Sequence, residues 1–172
     1  MERLYRSSQR AFQELIKVGL VEDTGYKIYS AQAAGCAPII NALQKGTDEI
    51  NPVKPNTIAS SIAIGNPADG YYFLQAIRET GGLGESVTDD KILEGIHPFG
   101  PNRGNIYRAC WGTEVAVTKK LIQNGKIPPE ESIVISVTGN GYKTLEAVAR
   151  RVEKPLTITA TLESFDGTLR TH

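Results

Sequence analysis

The chain has 172 residues, of which 40% are hydrophobic and 22% charged, as in a soluble globular protein large enough to bury its own core. Nineteen basic residues balance nineteen acidic ones, which argues against nucleic acid or an anionic membrane as a partner. No apolar run is long enough to span a bilayer, and two distant cysteines do not form a disulfide framework, so a reducing, cytoplasmic setting is expected.

The first part of the chain shows helical and extended patterns in turn. Apolar residues at roughly helical spacing between Leu4 and Leu20 predict a helix, for which Gly19 offers a stop. The β-prone run YKIYSAQA (26–33) predicts a strand. A short helix is expected within GCAPIINALQKG (35–46), beginning near Pro38, since proline is tolerated in a first turn. These elements suggest an α/β arrangement from the start.

The middle of the chain continues this alternation. TIASSIAIG (57–65) is compatible with either a helix or a buried strand. A turn is expected at Pro67, followed by a helix over residues 69–80 that ends at two glycines. A short strand around Val87 precedes Thr88, which is expected to cap the next helix.

The second half of the chain predicts a helix, a buried strand and another helix. Apolar residues from Val115 to Ile122 line a helix that stops at Gly125. SIVISVTGNG (132–141) begins with a continuous β-branched run, which is typical of a strand buried on both faces. The helical run YKTLEAVARRV follows. The whole pattern predicts a layered α/β fold with a mostly parallel sheet.

Two glycine-containing turns are candidate ligand sites. TGNG (138–141) follows the predicted strand, and ligands bind at the carboxyl ends of strands in open α/β sheets. The Thr138 hydroxyl would then contact a cofactor, although a plain strand-to-helix turn also explains the motif. IGNPADG (64–70) could position a substrate or simply turn the chain. By spacing alone, the turn is favoured in both cases.

The cysteines and histidines carry little evidence of chemistry. Cys36 lies among small and apolar residues, so a buried, inert thiol is expected there. His97 and His172 show no spacing typical of metal ligands. We therefore expect no metal site and no cysteine nucleophile.

Taken together, several segments resemble threonine synthase, a pyridoxal-phosphate enzyme of the tryptophan synthase β-like family (fold type II). They occur in the order of that family and cover most of the chain. The motif IAIGNPADG followed by VTGNGYKT is fairly specific within the superfamily. The segments that carry the resemblance are FQELIKVGLVE, YKIYSAQAAGCAPI, NTIASSIAIGNPADGYYFLQAIRETGG and VAVTKKLIQNGKIPPEESIVISVTGNGYKTLEAV.

The resemblance implies a lyase of threonine biosynthesis that converts O-phosphohomoserine and water to threonine and phosphate, with pyridoxal 5'-phosphate as cofactor. It gives Thr138 the role of facing the pyridine nitrogen, and it implies a homodimer as the usual assembly. Two alternatives remain open. One is another pyridoxal-phosphate lyase of the superfamily, a threonine dehydratase or a cysteate synthase; the other is a truncated gene product without catalysis.

This chain also departs from the family pattern, and the departures are informative. The resemblance places the Schiff-base lysine and the glycine-rich phosphate loop upstream of everything seen here. No lysine of this sequence stands in a matching context, so no catalytic residue is assigned. Residues 1–172 therefore resemble the C-terminal portion of the catalytic fold, and we expect the isolated chain not to be competent.

The segment HPFGPNRGNIYRACWG (97–112) departs from the family altogether. The family expects a sequence resembling LLARTEGIFTEPAGG here, as part of a wall of the cofactor site. A single nucleotide string encodes the observed segment and, read one base later, TLLARTEGIFTEPAGG. This coincidence indicates a pair of compensating frameshifts. Since Pro98 and Pro101 break a helix and Trp111 replaces an expected glycine, we predict local disorder or a distorted loop.

Overall fold

The computed structural model describes residues 2–96, 109–136 and 158–170, with side chains from residue 7 onward and up to residue 166. Within this part, no helix is long and apolar enough to cross a membrane. The described elements are α1 (Glu2–Lys17), β1 (Ser30–Ala33), α2 (Pro38–Lys45), a 3-10 turn (Ser60–Ile62), α3 (Gly70–Glu79), β2 (Gly84–Val87), α4 (Asp89–Ile96), α5 (Ala109–Gln123) and α6 (Leu162–Arg170).

The centre of the described fold is a parallel pair of short strands. Ser30 of β1 is in register with Gly84 of β2, and Ala33 with Val87. One cluster of buried side chains joins this pair to α4 and α5, and a second joins α2 and α3. The α/β class and the parallel pairing confirm the prediction from the alternating pattern.

The predicted helices of the described residues are present close to their expected bounds, whereas β1 covers only the second half of the strand predicted over residues 26–33. α1 is followed by Gly19, which has a positive φ of 74° and donates its N–H to the Ile16 carbonyl at 2.9 Å. Such a left-handed glycine is the common way to end a helix. α2 begins at Pro38, as predicted, and ends at Gly46, which is also left-handed. The ambiguous stretch 57–65 forms neither a full helix nor a strand; it contains the short 3-10 turn.

The prediction of a buried strand from residue 132 is wrong for the part that the structure describes. Residues 132–136 have no strand partner among the described residues. Val134 is 93% exposed and Ile133 40% exposed. A β-branched run becomes a buried strand only when neighbouring strands cover it, and none of the described strands does so. Residues 137–141 and the predicted helix after them lie outside the described residues.

The expectation of a distorted loop over 97–112 fails at its last four residues. Ala109 to Gly112 lie in α5, and Trp111 is only 6% exposed. Gly112 packs against the backbone of α4, where a Cβ atom would overlap the Ile92 carbonyl oxygen. Small residues at this crossing let the two helices approach closely, which keeps the turn regular. Residues 97–108 lie outside the described residues.

Candidate active site at the carboxyl end of β1

The turn after β1 is fixed by side-chain and backbone hydrogen bonds. The Gln32 side-chain oxygen accepts from the N–H groups of Ile39 and Ile40 at 3.1 and 3.0 Å. These two N–H groups belong to the first turn of α2, where backbone N–H groups have no carbonyl acceptor within the helix. The Cys36 N–H donates to the Ala33 carbonyl at 2.8 Å. β1 and α2 are therefore locked together where a ligand would meet the sheet.

A glycine brings a second loop onto this turn. The Asn56 N–H donates to the Gly35 carbonyl at 3.0 Å. A Cβ atom at Gly35 would overlap the Asn56 carbonyl oxygen, so only glycine allows this approach. The loop of residues 51–59 consequently lies against the carboxyl end of β1.

Asp89 ties the same loop to the beginning of α4. Its carboxylate accepts from the Thr57 hydroxyl at 2.5 Å and from the Ile58 N–H at 3.1 Å. Asp89 also stands in the first turn of α4, where a negative charge is stabilised by the helix dipole. The sequence predicted a helix beginning after Thr88, but no local pattern indicated the link between Asp89 and Thr57.

We expect Asp89→Asn to lower the free energy of unfolding by about 1 kcal/mol, because the amide offers a single oxygen and no charge to two donors. Asp90→Asn is the matched control, since Asp90 is exposed in the same helical turn. That change should have at most half the effect. Urea titrations of both variants measure the free energy of unfolding. Equal decreases in the two variants would contradict a specific role for Asp89.

The beginning of α5 meets this region through small side chains. Ala109 and Cys110 are buried in the same cluster as Ala33 at the end of β1 and Ala59 of the neighbouring loop. Small residues here keep the backbones of three elements close to the carboxyl end of the strand. This part of the segment 97–112 thus belongs to the candidate site and is not extruded from the fold.

A carboxyl group lines a cavity beside β1. Glu114, one turn into α5, is 8% exposed, and its Oε2 atom has no hydrogen-bond partner in the described part of the chain. Burial away from water raises the pKa of Glu114 to about 7, because the charged form loses its hydration. The cavity, of about 740 Å³, is also lined by Ala31 of β1. A carboxyl group that titrates near neutral pH in a cavity is a candidate for binding a donor or exchanging a proton.

Comparison with known proteins identifies the family. The family described as "Pyridoxal-phosphate dependent enzyme" matches residues 10–139. The chain belongs to this family. Threonine synthase of Methanocaldococcus jannaschii is 35% identical over 150 residues, which are 87% of this chain and 37% of that protein. Threonine synthase of Methanosarcina acetivorans is 33% identical over 157 residues, 91% of this chain and 38% of that protein. The chain thus spans well under half the length of these relatives.

Enzymes of this family use pyridoxal phosphate, so the described residues can be tested for their fit to it. A lysine that bonds covalently to the cofactor must present an amine that is not held at the surface. Lys120 is half-buried, but its amine is paired with Glu85 at 2.6 Å. The other lysines of the described residues are all exposed. Among the described residues, no lysine thus combines a buried position with an unpaired amine.

The structure describes only some of the residues that were singled out in the sequence. Thr138, the predicted contact of the pyridine nitrogen, lies outside the described residues, as do His97 and His172. Cys36 is buried, as predicted, and burial raises the pKa of its thiol, which disfavours the reactive thiolate. In IGNPADG, Gly65 accepts from the Val53 N–H at 2.9 Å, so this motif serves at least to turn and fasten the chain.

Glu114 is the residue that sequence analysis missed. It shares one helical face with Val117 and Leu121, both of which are buried. A glutamate three and seven residues before buried apolar positions stands on the inward face of a helix. That spacing was a usable signal, but a single acidic residue in an amphipathic helix is usually read as part of its exposed side.

Proposed function

We propose that this chain forms the C-terminal part of a threonine synthase, the enzyme that converts O-phosphohomoserine and water to threonine and phosphate. The observation that carries the proposal is the 35% identity to a threonine synthase over 87% of this chain. The proposal is supported by relatives from archaea and bacteria that bear this same name. Residues upstream of α1 in the longer relatives would supply the cofactor's lysine and phosphate loop.

Within this proposal, Thr138 faces the pyridine nitrogen of the cofactor. A neutral hydroxyl does not hold that nitrogen protonated as a carboxylate would, so the ring remains a milder electron sink. Support comes from the position of TGNG directly after a β-branched run, and the matched family range includes residue 138. The isolated chain is expected to be inactive.

The test joins the N-terminal part of the M. jannaschii enzyme, up to its match with α1, in frame ahead of Met1. With pyridoxal phosphate and O-phosphohomoserine, we expect the joined protein to release phosphate and form threonine, and the chain alone to do neither. Thr138→Ala should lower kcat by about 10²-fold or more if the hydroxyl tunes the ring, as expected for loss of one preorganised polar contact. Thr138→Ser, which keeps the hydroxyl, is the matched control and should retain most of the activity.

Three results would count against the proposal. Formation of 2-oxobutyrate from threonine, without phosphate release, would favour a dehydratase. Sulfite-dependent formation of cysteate would favour a cysteate synthase. A well-folded joined protein that binds the cofactor but turns over none of these substrates would favour a gene product without catalysis.

We further propose that residues 97–112 are read in a shifted frame, so that the wall of the site is altered there. The support is the single nucleotide string that encodes both the observed segment and the sequence that the family expects. Gly112, which packs closely on α4, is glycine in both frames, so this contact is compatible with the shift. Resequencing the gene decides whether the shift is an error; a clean read without neighbouring insertions or deletions in close relatives would overturn the proposal.

A further inference from the structure

A segment without helix or strand lies against the carboxyl end of β1. We call residues 53–59 of this segment the strap. Near its middle, the Asn56 N–H donates to the carbonyl of Gly35, in the turn after β1, at 3.0 Å. At its beginning, the Val53 N–H donates to the Gly65 carbonyl of the motif IGNPADG at 2.9 Å. The strap therefore connects the turn after β1 with this motif.

Two glycines allow the strap to approach this closely. A Cβ atom at Gly35 would overlap the Asn56 carbonyl oxygen. A Cβ atom at Gly65 would overlap the Val53 carbonyl oxygen and press on the Pro55 ring. Because the overlapped atoms are backbone, neither glycine can carry a side chain unless the strap moves. This close packing fixes the distance between the two loops, which a preorganised binding site requires.

The first part of the strap is held weakly by its own contacts. Apart from the half-buried Val53, residues 51–56 are exposed, so water competes for the backbone hydrogen bonds of Val53 and Asn56. A loop with few buried apolar contacts opens locally at a small cost in free energy. The position of the strap must therefore depend on how its far end, residues 57–59, is held.

The far end of the strap is held by a carboxylate on a packed helix. Asp89 accepts from the Thr57 hydroxyl at 2.5 Å and from the Ile58 N–H at 3.1 Å. The Thr57 hydroxyl oxygen accepts in turn from the Ala59 N–H at 3.2 Å. Ala59 is fully buried in the same cluster as Ala33 at the end of β1. Hydrogen bonds to a charged acceptor are the stronger ones, so Asp89 ties the strap to α4.

We infer that Asp89 is a positioning residue for the candidate site. Through Thr57 it keeps the strap in place, and the strap keeps the motif IGNPADG beside the carboxyl end of β1. The motif thus has a role beyond turning the chain, because it receives the strap at Gly65. A loosened strap would misplace one side of the site, and small misplacements lower the rate strongly. The inference rests on the proposed function only for the statement that a substrate binds at this end of β1.

Hydrogen exchange in this chain alone tests the strap without relying on activity. Asp89→Asn and Thr57→Val should each speed the exchange of the Val53 and Asn56 amides by about tenfold or more, because the strap opens more often. The amide of Leu74, which is fully buried in α3, reports general loss of stability and should change less. Thr57→Ser keeps the hydroxyl, so this matched control should leave the strap amides nearly unchanged.

Kinetics of the joined protein described above test the consequence for the site. Asp89→Asn and Thr57→Val should each lower kcat/KM by about tenfold or more, with kcat counted per site that holds the cofactor. A merely structural role would reduce the number of loaded sites and leave this kcat unchanged. The double variant should lose little more than either single variant, because both changes remove the same contact. Asp90→Asn and Thr57→Ser should retain most of the activity.

The outcomes separate the strap from the proposed function. Faster exchange of the strap amides, together with a joined protein that releases no phosphate, supports the strap and counts against threonine synthase activity. Phosphate release with unchanged kcat/KM in both variants overturns the positioning role and leaves the activity standing. Equal acceleration at Leu74 and in the strap, or acceleration confined to the first turn of α4, overturns the inference as well. Additive losses in the double variant would show that Asp89 does not act through Thr57, which also overturns it.

Discussion

Glu114→Gln is expected to stabilise the chain at pH 8 by about 2–3 kcal/mol and to leave its stability nearly unchanged at pH 4.5. The pKa of Glu114 rises from 4.5 to about 7 in the folded chain because burial disfavours the charged form. Between these values the unfolded chain has lost the proton that the folded chain keeps. The free energy of unfolding therefore falls as the pH rises through this window, and above about pH 7 the full decrease has occurred.

The magnitude follows from the shift, at 1.36 kcal/mol for each pKa unit, with a reduction for water that enters the open cavity. Glutamine has the same shape without the charge, so it should remove the loss at high pH. Urea titrations at both pH values provide the measurement. The matched control is Glu130→Gln, because Glu130 is exposed and lies in the turn that follows α5. Equal effects of Glu114→Gln at both pH values would show that its carboxyl group titrates as in water.

Local patterns predicted the helices well because each one carries its own signals. Pro38 begins α2, and the left-handed glycines Gly46 and Gly125 follow α2 and α5. Such caps depend only on residues within one or two turns. The parallel pair and the α/β class followed from the alternation of these local units, which is why they were predictable without any knowledge of tertiary contacts.

The failures concern features that depend on distant residues. The run from residue 132 has the composition of a buried strand, but burial needs neighbours that the described residues do not provide. The partnership of Asp89 with Thr57 joins positions 32 residues apart, and no periodicity reports it. Glu114 became a site residue only when the fold placed a cavity beside its helix. Thr138 stays a prediction, since it rests on the family resemblance and lies outside the described residues.

Gly112→Ala is expected to lower the free energy of unfolding by about 2–3 kcal/mol, although alanine is normally the better helix former by about 1 kcal/mol. A Cβ atom at this position would overlap the Ile92 carbonyl oxygen and press on the Ile96 side chain. The opposing contact is backbone, which cannot move aside as a flexible side chain can, so α4 and α5 would have to separate.

Gly125→Ala is the matched control. Gly125 has open space around it, so only its left-handed φ of 64° opposes a side chain, which lowers the free energy of unfolding by about 1 kcal/mol. Thermal and urea unfolding of the two variants compare the two costs directly. A smaller loss at Gly112 than at Gly125 would mean that the segment beginning at Ala109 does not pack on α4 in solution, and the candidate site would then lose the wall that α5 contributes.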